Sequence, residues 1–144
     1  MLFPGEGSRV KKQVKSQKGY IIKQRAMRND LLDRLLEFAA NIVHMGAVLN
    51  KSLEGRHIYK QLFRSGTGAG ANYAESQSAE SKKDFIHKIQ VSLKELKESL
   101  FWLRLVEKAD LAPDKEQLLA LLLRENGELI KILGKSVVTA KSNT

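Results

Sequence analysis

The stretch from Ile58 to Val106 fixes most of what this chain can fold into. It carries two rows of inward-facing positions at helical spacing, separated by a very short polar segment. The first row is Ile58, Leu62, Ser65, Ala69, Asn72 and Ser76; the second is Ile86, Ile89, Leu93, Leu96, Leu100 and Leu103. Steps of three and four keep one face of an α-helix turned toward a neighbour. Gln77-Ser78-Ala79-Glu80 leaves room only for an antiparallel reversal.

Two further amphipathic segments flank this pair. Leu32, Leu35, Ala39, Ile42, Gly46 and Leu49 form a row that Leu31, Leu36, Phe38, Val43 and Met45 widen. That breadth predicts burial on two sides, against the bundle and against another subunit. Near the C-terminus, Leu119, Leu122, Asn126, Leu129, Leu133, Val137 and Ala140 repeat the spacing. Asn126 is the polar member, and a buried asparagine commonly sets register. The expected boundaries follow from caps. The first helix starts at Asn29-Asp30, the second at Leu53, and the third at Ser81 with Asp84 completing a capping box. Ala109 to Ala112 is a linker, and Pro113 suits the first turn of the fourth helix. Four such helices with short connections predict an all-α, antiparallel up-down-up-down four-helix bundle spanning residues 29–144.

Charge divides the chain differently. Residues 1–28 hold Arg9, Lys11, Lys12, Lys15, Lys18, Lys23, Arg25 and Arg28 against Glu6 alone, a net +7 of the total +9. The remainder is close to balanced. Pro4-Gly5-Glu6-Gly7-Ser8 has loop composition and Gly19 interrupts the following segment. Residues 1–28 are therefore expected to be a basic N-terminal extension, either a solvated tail or an arm that meets phosphate. Lys82, Lys83, Lys94 and Lys97 on the third helix are further candidates for nucleic-acid contact.

Composition excludes several functions. With no cysteine there is no disulfide, no thiolate nucleophile and no cysteine-based metal site. There is no apolar run of membrane-spanning length and no secretory block at the N-terminus, so a cytoplasmic setting is expected. His44, His57 and His87 are scattered, and Glu-x-x-His, which a carboxylate-bundle metal site needs on two helices, occurs at Glu54–His57 alone. Hence no catalytic residues, metal or cofactor are expected.

The second helix contains an anomaly. Gly66, Gly68 and Gly70 fall within five residues, and each costs a helix interior about 1 kcal/mol relative to alanine. They match neither the dinucleotide fingerprint nor a phosphate loop. Close helix approach accounts for them better, through the small residues Ser65, Gly66, Ala69 and Gly70. Arg64, Asn72 and Glu75 share roughly one face, and a reversal centred near residue 78 sets Arg64 opposite Leu93 to Glu95. Arg64, Asn72, Glu75 and Glu95 are read as a polar lock on helix register. Glu75 paired with Glu95 or Glu98 as an acid/base or metal site is the less favoured reading. Phe101 and Trp102 read as core or subunit contacts in preference to a surface for stacking ligands.

At this point a resemblance becomes specific. The run Leu62-Phe-Arg64-Ser65-Gly66-Thr67-Gly-Ala-Gly-Ala71-Asn72-Tyr-Ala-Glu75, then Ser81-Lys-Lys-Asp84-Phe85-Ile86-His-Lys-Ile89, then Leu93-Lys-Glu95-Leu-Lys-Glu98 and Phe101-Trp102-Leu103 resemble a known family. It is that of the four-helix-bundle proteins encoded in intervening sequences of bacterial 23S ribosomal RNA genes. That family is itself similar to the accessory protein of diversity-generating retroelements. The likeness covers about residues 30–140 and leaves the basic extension outside. Where this chain has Gly68 the family pattern usually has serine. The resemblance implies four antiparallel helices, a ring-shaped homo-oligomer (a pentamer) and no established enzymatic activity. For the retroelement relatives it implies contact with nucleic acid and a reverse transcriptase. Two functions follow as expectations: an RNA-binding scaffold, or a protein–protein adaptor, for example for a reverse transcriptase.

Overall fold

Four helices in chain order carry the whole architecture of the computed structural model, which describes residues 6–143. Side-chain detail covers Lys18, Gly19, Ile22, Lys23 and residues 30–143. The helices are α1 (Glu6–Leu49), α2 (Leu53–Ser76), α3 (Lys82–Lys108) and α4 (Glu116–Ser142), with a 3₁₀ turn over Pro113–Lys115. No strand occurs among the described residues.

The first helix corrects one expectation. It does not begin at Asn29 but runs from Glu6, through Gly19 and Asn29. The physical reason lies in the composition of this stretch: Arg, Lys, Gln, Ala and Met dominate, all good helix formers, and no proline follows Pro4. Gly7, in the first turn, and Gly19 cost less than those residues supply. The chain divides into two units after Asp33. In the first, Lys18, Ile22, Lys23, Asp30 and Asp33 are exposed.

The second unit, Arg34–Thr144, is an antiparallel bundle. Successive contacts show the direction. Between α2 and α3, Ser65 meets Ser99, Ala69 meets Ser92 and Glu75 meets Lys88, so one chain ascends as the other descends. Between α1 and α2, Gly46 lies at Tyr59, Ile42 at Gly66 and Leu35 at Gly70. Arg34 of α1 pairs with Glu125 of α4, its Nε donating to Oε1 at 3.1 Å, which ties the first helix to the last.

Turn chemistry stops each helix where the sequence allows. Ser52 caps α2, its Oγ accepting from the Gly55 amide at 2.9 Å. Ser81 caps α3 by accepting from the Asp84 amide at 3.1 Å, and Asp84 accepts from the Glu80 amide at 3.3 Å. At the far end Asp110 takes a positive φ of 50°. There the Leu111 amide bonds the Val106 carbonyl at 3.1 Å and the Asp110 amide bonds that of Glu107 at 3.2 Å, a Schellman closure.

The core is built from Leu35, Phe38, Ile42, Met45 and Leu49 of α1, Ile58 and Leu62 of α2, Ile89, Leu96 and Leu103 of α3, and Leu122, Leu129 and Leu133 of α4. Two rows differ in detail from the sequence expectation. On α2 Tyr73 is buried and Asn72 half-buried. On α3 the seam runs Ile89, Ser92, Leu96, Ser99, Leu103 and Val106, while Leu93 and Leu100 stand at its edge. Serine enters because the facing stretch of α2 comes too close for leucine. Asn126 is fully buried on α4. With its amide turned so that nitrogen faces the Leu96 carbonyl, it donates there at 3.0 Å and accepts from the Leu100 amide at 3.2 Å. One side chain thus grips a turn of α3.

Candidate functional site

The small-residue stretch of α2 serves two neighbours at once. Gly66 and Gly70 turn toward α1. A methyl group added at Gly66 would collide with Ile42 Cδ1, and one at Gly70 would sit 3.5 Å from Leu35 Cβ. Ser65 and Ala69 turn toward α3. The Ser65 and Ser99 hydroxyls lie 2.8 Å apart, and Ser92 Oγ donates to the Ala69 carbonyl at 2.6 Å. Gly68 faces the side chain of Glu95, which a methyl group would meet at an ordinary 3.5 Å.

Arg64 stands immediately before this stretch on the rim of α2. It forms an ion pair with Glu95 at 3.4 Å and a second with Glu98. The second partner arises because the cross-helix pairs Ser65–Ser99, Ala69–Ser92 and Glu75–Lys88 centre the reversal nearer residue 81 than residue 78. Glu98 also accepts from the Trp102 indole at 3.2 Å. Glu75 joins a different pair, with Lys88 at 3.1 Å. That hydrogen bond and the Glu75 charge hold the Lys88 ammonium above its ordinary 10.5. Asn72 bonds within its own helix, its amide donating to the Gly68 carbonyl at 2.9 Å. The four polar residues therefore fall into two cross-helix ion-pair groups and one local bond.

His44, His57 and His87 are all exposed. No group of three or more His, Cys, Asp or Glu among the described residues is arranged to hold a metal ion. A groove between α1 and α4 is lined by Phe38, Asn41, Leu121 and Arg124 and by the Arg34–Glu125 pair.

Of the cations named from sequence, Lys18, Lys23, Lys82, Lys83, Lys94 and Lys97 are exposed. The side chains of Arg9, Lys11, Lys12, Lys15, Arg25 and Arg28 lie outside the described residues. Phe101 is not a core residue: it is 60% exposed on α3. Its ring meets Trp102 edge-on at 5.0 Å, and Trp102 meets His57 of α2 at 6.1 Å. Sequence reasoning passed over Ser92 and Ser99, although their seven-residue spacing aligned with Ile89, Leu96 and Leu103 was available as a signal. No helix among the described residues is long and apolar enough to cross a membrane.

Comparison with known proteins places this geometry. The profile of the 23S rRNA-intervening sequence protein family matches residues 27–135. A solved structure from Bacteroides thetaiotaomicron is described as a protein with unknown function from the S23 ribosomal protein family. It shares 32% identity with this chain and superposes with a TM-score of 0.69, over 76% of this chain and 96% of its own. No functionally curated protein matches. The matched segment takes in α2, α3 and most of α4, and the chain belongs to the 23S rRNA-intervening sequence protein family.

Proposed function

We propose that this protein is a non-catalytic, self-associating helical module of bacterial cytoplasm that binds RNA through basic surface. The observation that carries the reading is the placement of charge: a net +7 in residues 1–28 beside an almost neutral remainder. Cations crowded along one helical segment without acids among them attract a polyanion and release its counterions on binding. The Arg64, Glu95 and Glu98 group then serves as a register lock, since both carboxylates are turned to the one guanidinium and the group is net negative, not a phosphate site. Self-association is supported by an exposed apolar row on α1, in which Leu36 is 60% and Val43 48% exposed.

The test replaces the eight cations of residues 1–28 with glutamine, which preserves helix propensity. Binding of a labelled RNA is then measured across a salt series. The natural chain should lose affinity steeply with salt, and the glutamine variant should bind at least about tenfold more weakly with a flatter slope. Equal affinities and a salt-independent natural chain would refute the reading. The adaptor alternative would then gain, because partner binding through α1 needs none of these cations.

A further inference from the structure

The outer face of α3 has an unusual composition. Lys94, Lys97, Phe101, Arg104 and Lys108 follow one another at steps of three and four, and all five are exposed. They lie opposite the buried seam of Ile89, Leu96 and Leu103. The row therefore looks straight out from the bundle. None of its four cations is in an ion pair with an acid among the described residues. Among the acids of α3, Glu95 and Glu98 are already engaged by Arg64, and Glu98 also by the Trp102 indole, while Glu107 is exposed beside Arg104 and Lys108. One large apolar side chain sits at the centre of this row, its ring held edge-on by Trp102 and still 60% exposed.

We infer that this face is a binding site for single-stranded RNA, with phosphates on Lys94, Lys97, Arg104 and Lys108 and one unstacked base on Phe101. The inference rests on the RNA-binding reading above and names a second site for it, separate from residues 1–28. Four cations outside any ion pair call for a polyanion. An exposed aromatic ring among them calls for a flat apolar partner, and a base in a single strand offers one. In a duplex the bases are stacked inside and their faces are closed to Phe101. A second copy of the same face is excluded as occupant by charge, since like cations would oppose each other. From Lys94 to Lys108 the row rises about 21 Å, enough for on the order of four nucleotides, the lower end of single-strand site sizes.

The experiment measures fluorescence anisotropy of a labelled twelve-nucleotide oligouridine and of a twelve-base-pair RNA duplex, with the full-length natural chain and Phe101→Ala. The expected result is a loss of about tenfold in oligouridine affinity for Phe101→Ala, with duplex affinity unchanged. Phe101→Trp should restore oligouridine binding. Lys97→Gln and Arg104→Gln should weaken both ligands, each lowering the single-strand salt slope by about 0.7. Natural-like oligouridine binding by Phe101→Ala overturns this site and leaves the RNA reading standing. Failure of the natural chain to bind either RNA at low salt overturns both. A Phe101→Ala chain that changes its association state but keeps its RNA affinity assigns the face to a contact between copies, and overturns the site as well.

Discussion

Gly66 and Gly68 are two residues apart, carry the same helix penalty and should respond oppositely to alanine. At Gly66 the added methyl runs into Ile42 Cδ1, with Phe38 close behind, and both side chains are at most 1% exposed. Ile42 Cδ1 is a side-chain end, but it can swing only within a filled core, so overpacking of about 1–3 kcal/mol should exceed the gain of about 1 kcal/mol from removing a helical glycine. At Gly68 the methyl makes an ordinary contact with the half-buried Glu95 side chain. There the propensity gain should survive nearly whole. Urea unfolding should show Gly66→Ala less stable and Gly68→Ala more stable than the natural chain. Shifts of the same sign would mean that close approach to α1 is not why Gly66 is glycine.

At the scale of the helix pair, α2 and α3 touch through hydroxyls where most bundles use leucine. Ser65 and Ser99 bond each other, and each also reaches a carbonyl of its own helix, Leu62 and Glu95 respectively. Removing one hydroxyl leaves its partner buried with poorer bonding, at a cost of about 1 kcal/mol. Removing both deletes donor and acceptor together. The double variant Ser65→Ala/Ser99→Ala should therefore be more stable than the two single losses summed, a coupling a double-mutant cycle in urea measures directly. Strict additivity would show that the hydroxyl pair contributes nothing as a pair. This contact also marks where sequence reading runs out. The row on α4 was legible because Leu119, Leu122, Asn126, Leu129 and Leu133 recur at steps of three and four, the spacing of one helix face. On α3 hydrophobicity favoured Leu93 and Leu100 over Ser92 and Ser99. The preference reversed because the facing surface of α2 is small, a property of the partner that no single row can reveal. The pairing of Arg64 depended likewise on where the reversal falls, and a displacement of about three residues brought Glu98 within reach. The helical course of residues 6–28 was hidden by loop-like residues at its start, although the composition beyond them favours helix.

For the whole molecule, the question is what covers α1. Leu36, Ala40, Val43 and Ala47 follow at steps of four, three and four, and all four are exposed. A second apolar row on a helix whose first row already fills the core is a burden for a lone bundle. In an assembly the same row supplies a contact between copies without disturbing any core side chain. Leu36→Glu combined with Val43→Glu places charge on that row while leaving Phe38, Ile42 and Met45 in place. Sedimentation equilibrium should then report an oligomer for the natural protein and a single-chain mass for the variant. The unfolding midpoint of the variant should lose the dependence on protein concentration that an oligomer shows, since association stabilises the folded state by mass action. An unchanged mass in the double variant would mean that the copies meet elsewhere, and the α1 row would be left to a partner of another kind.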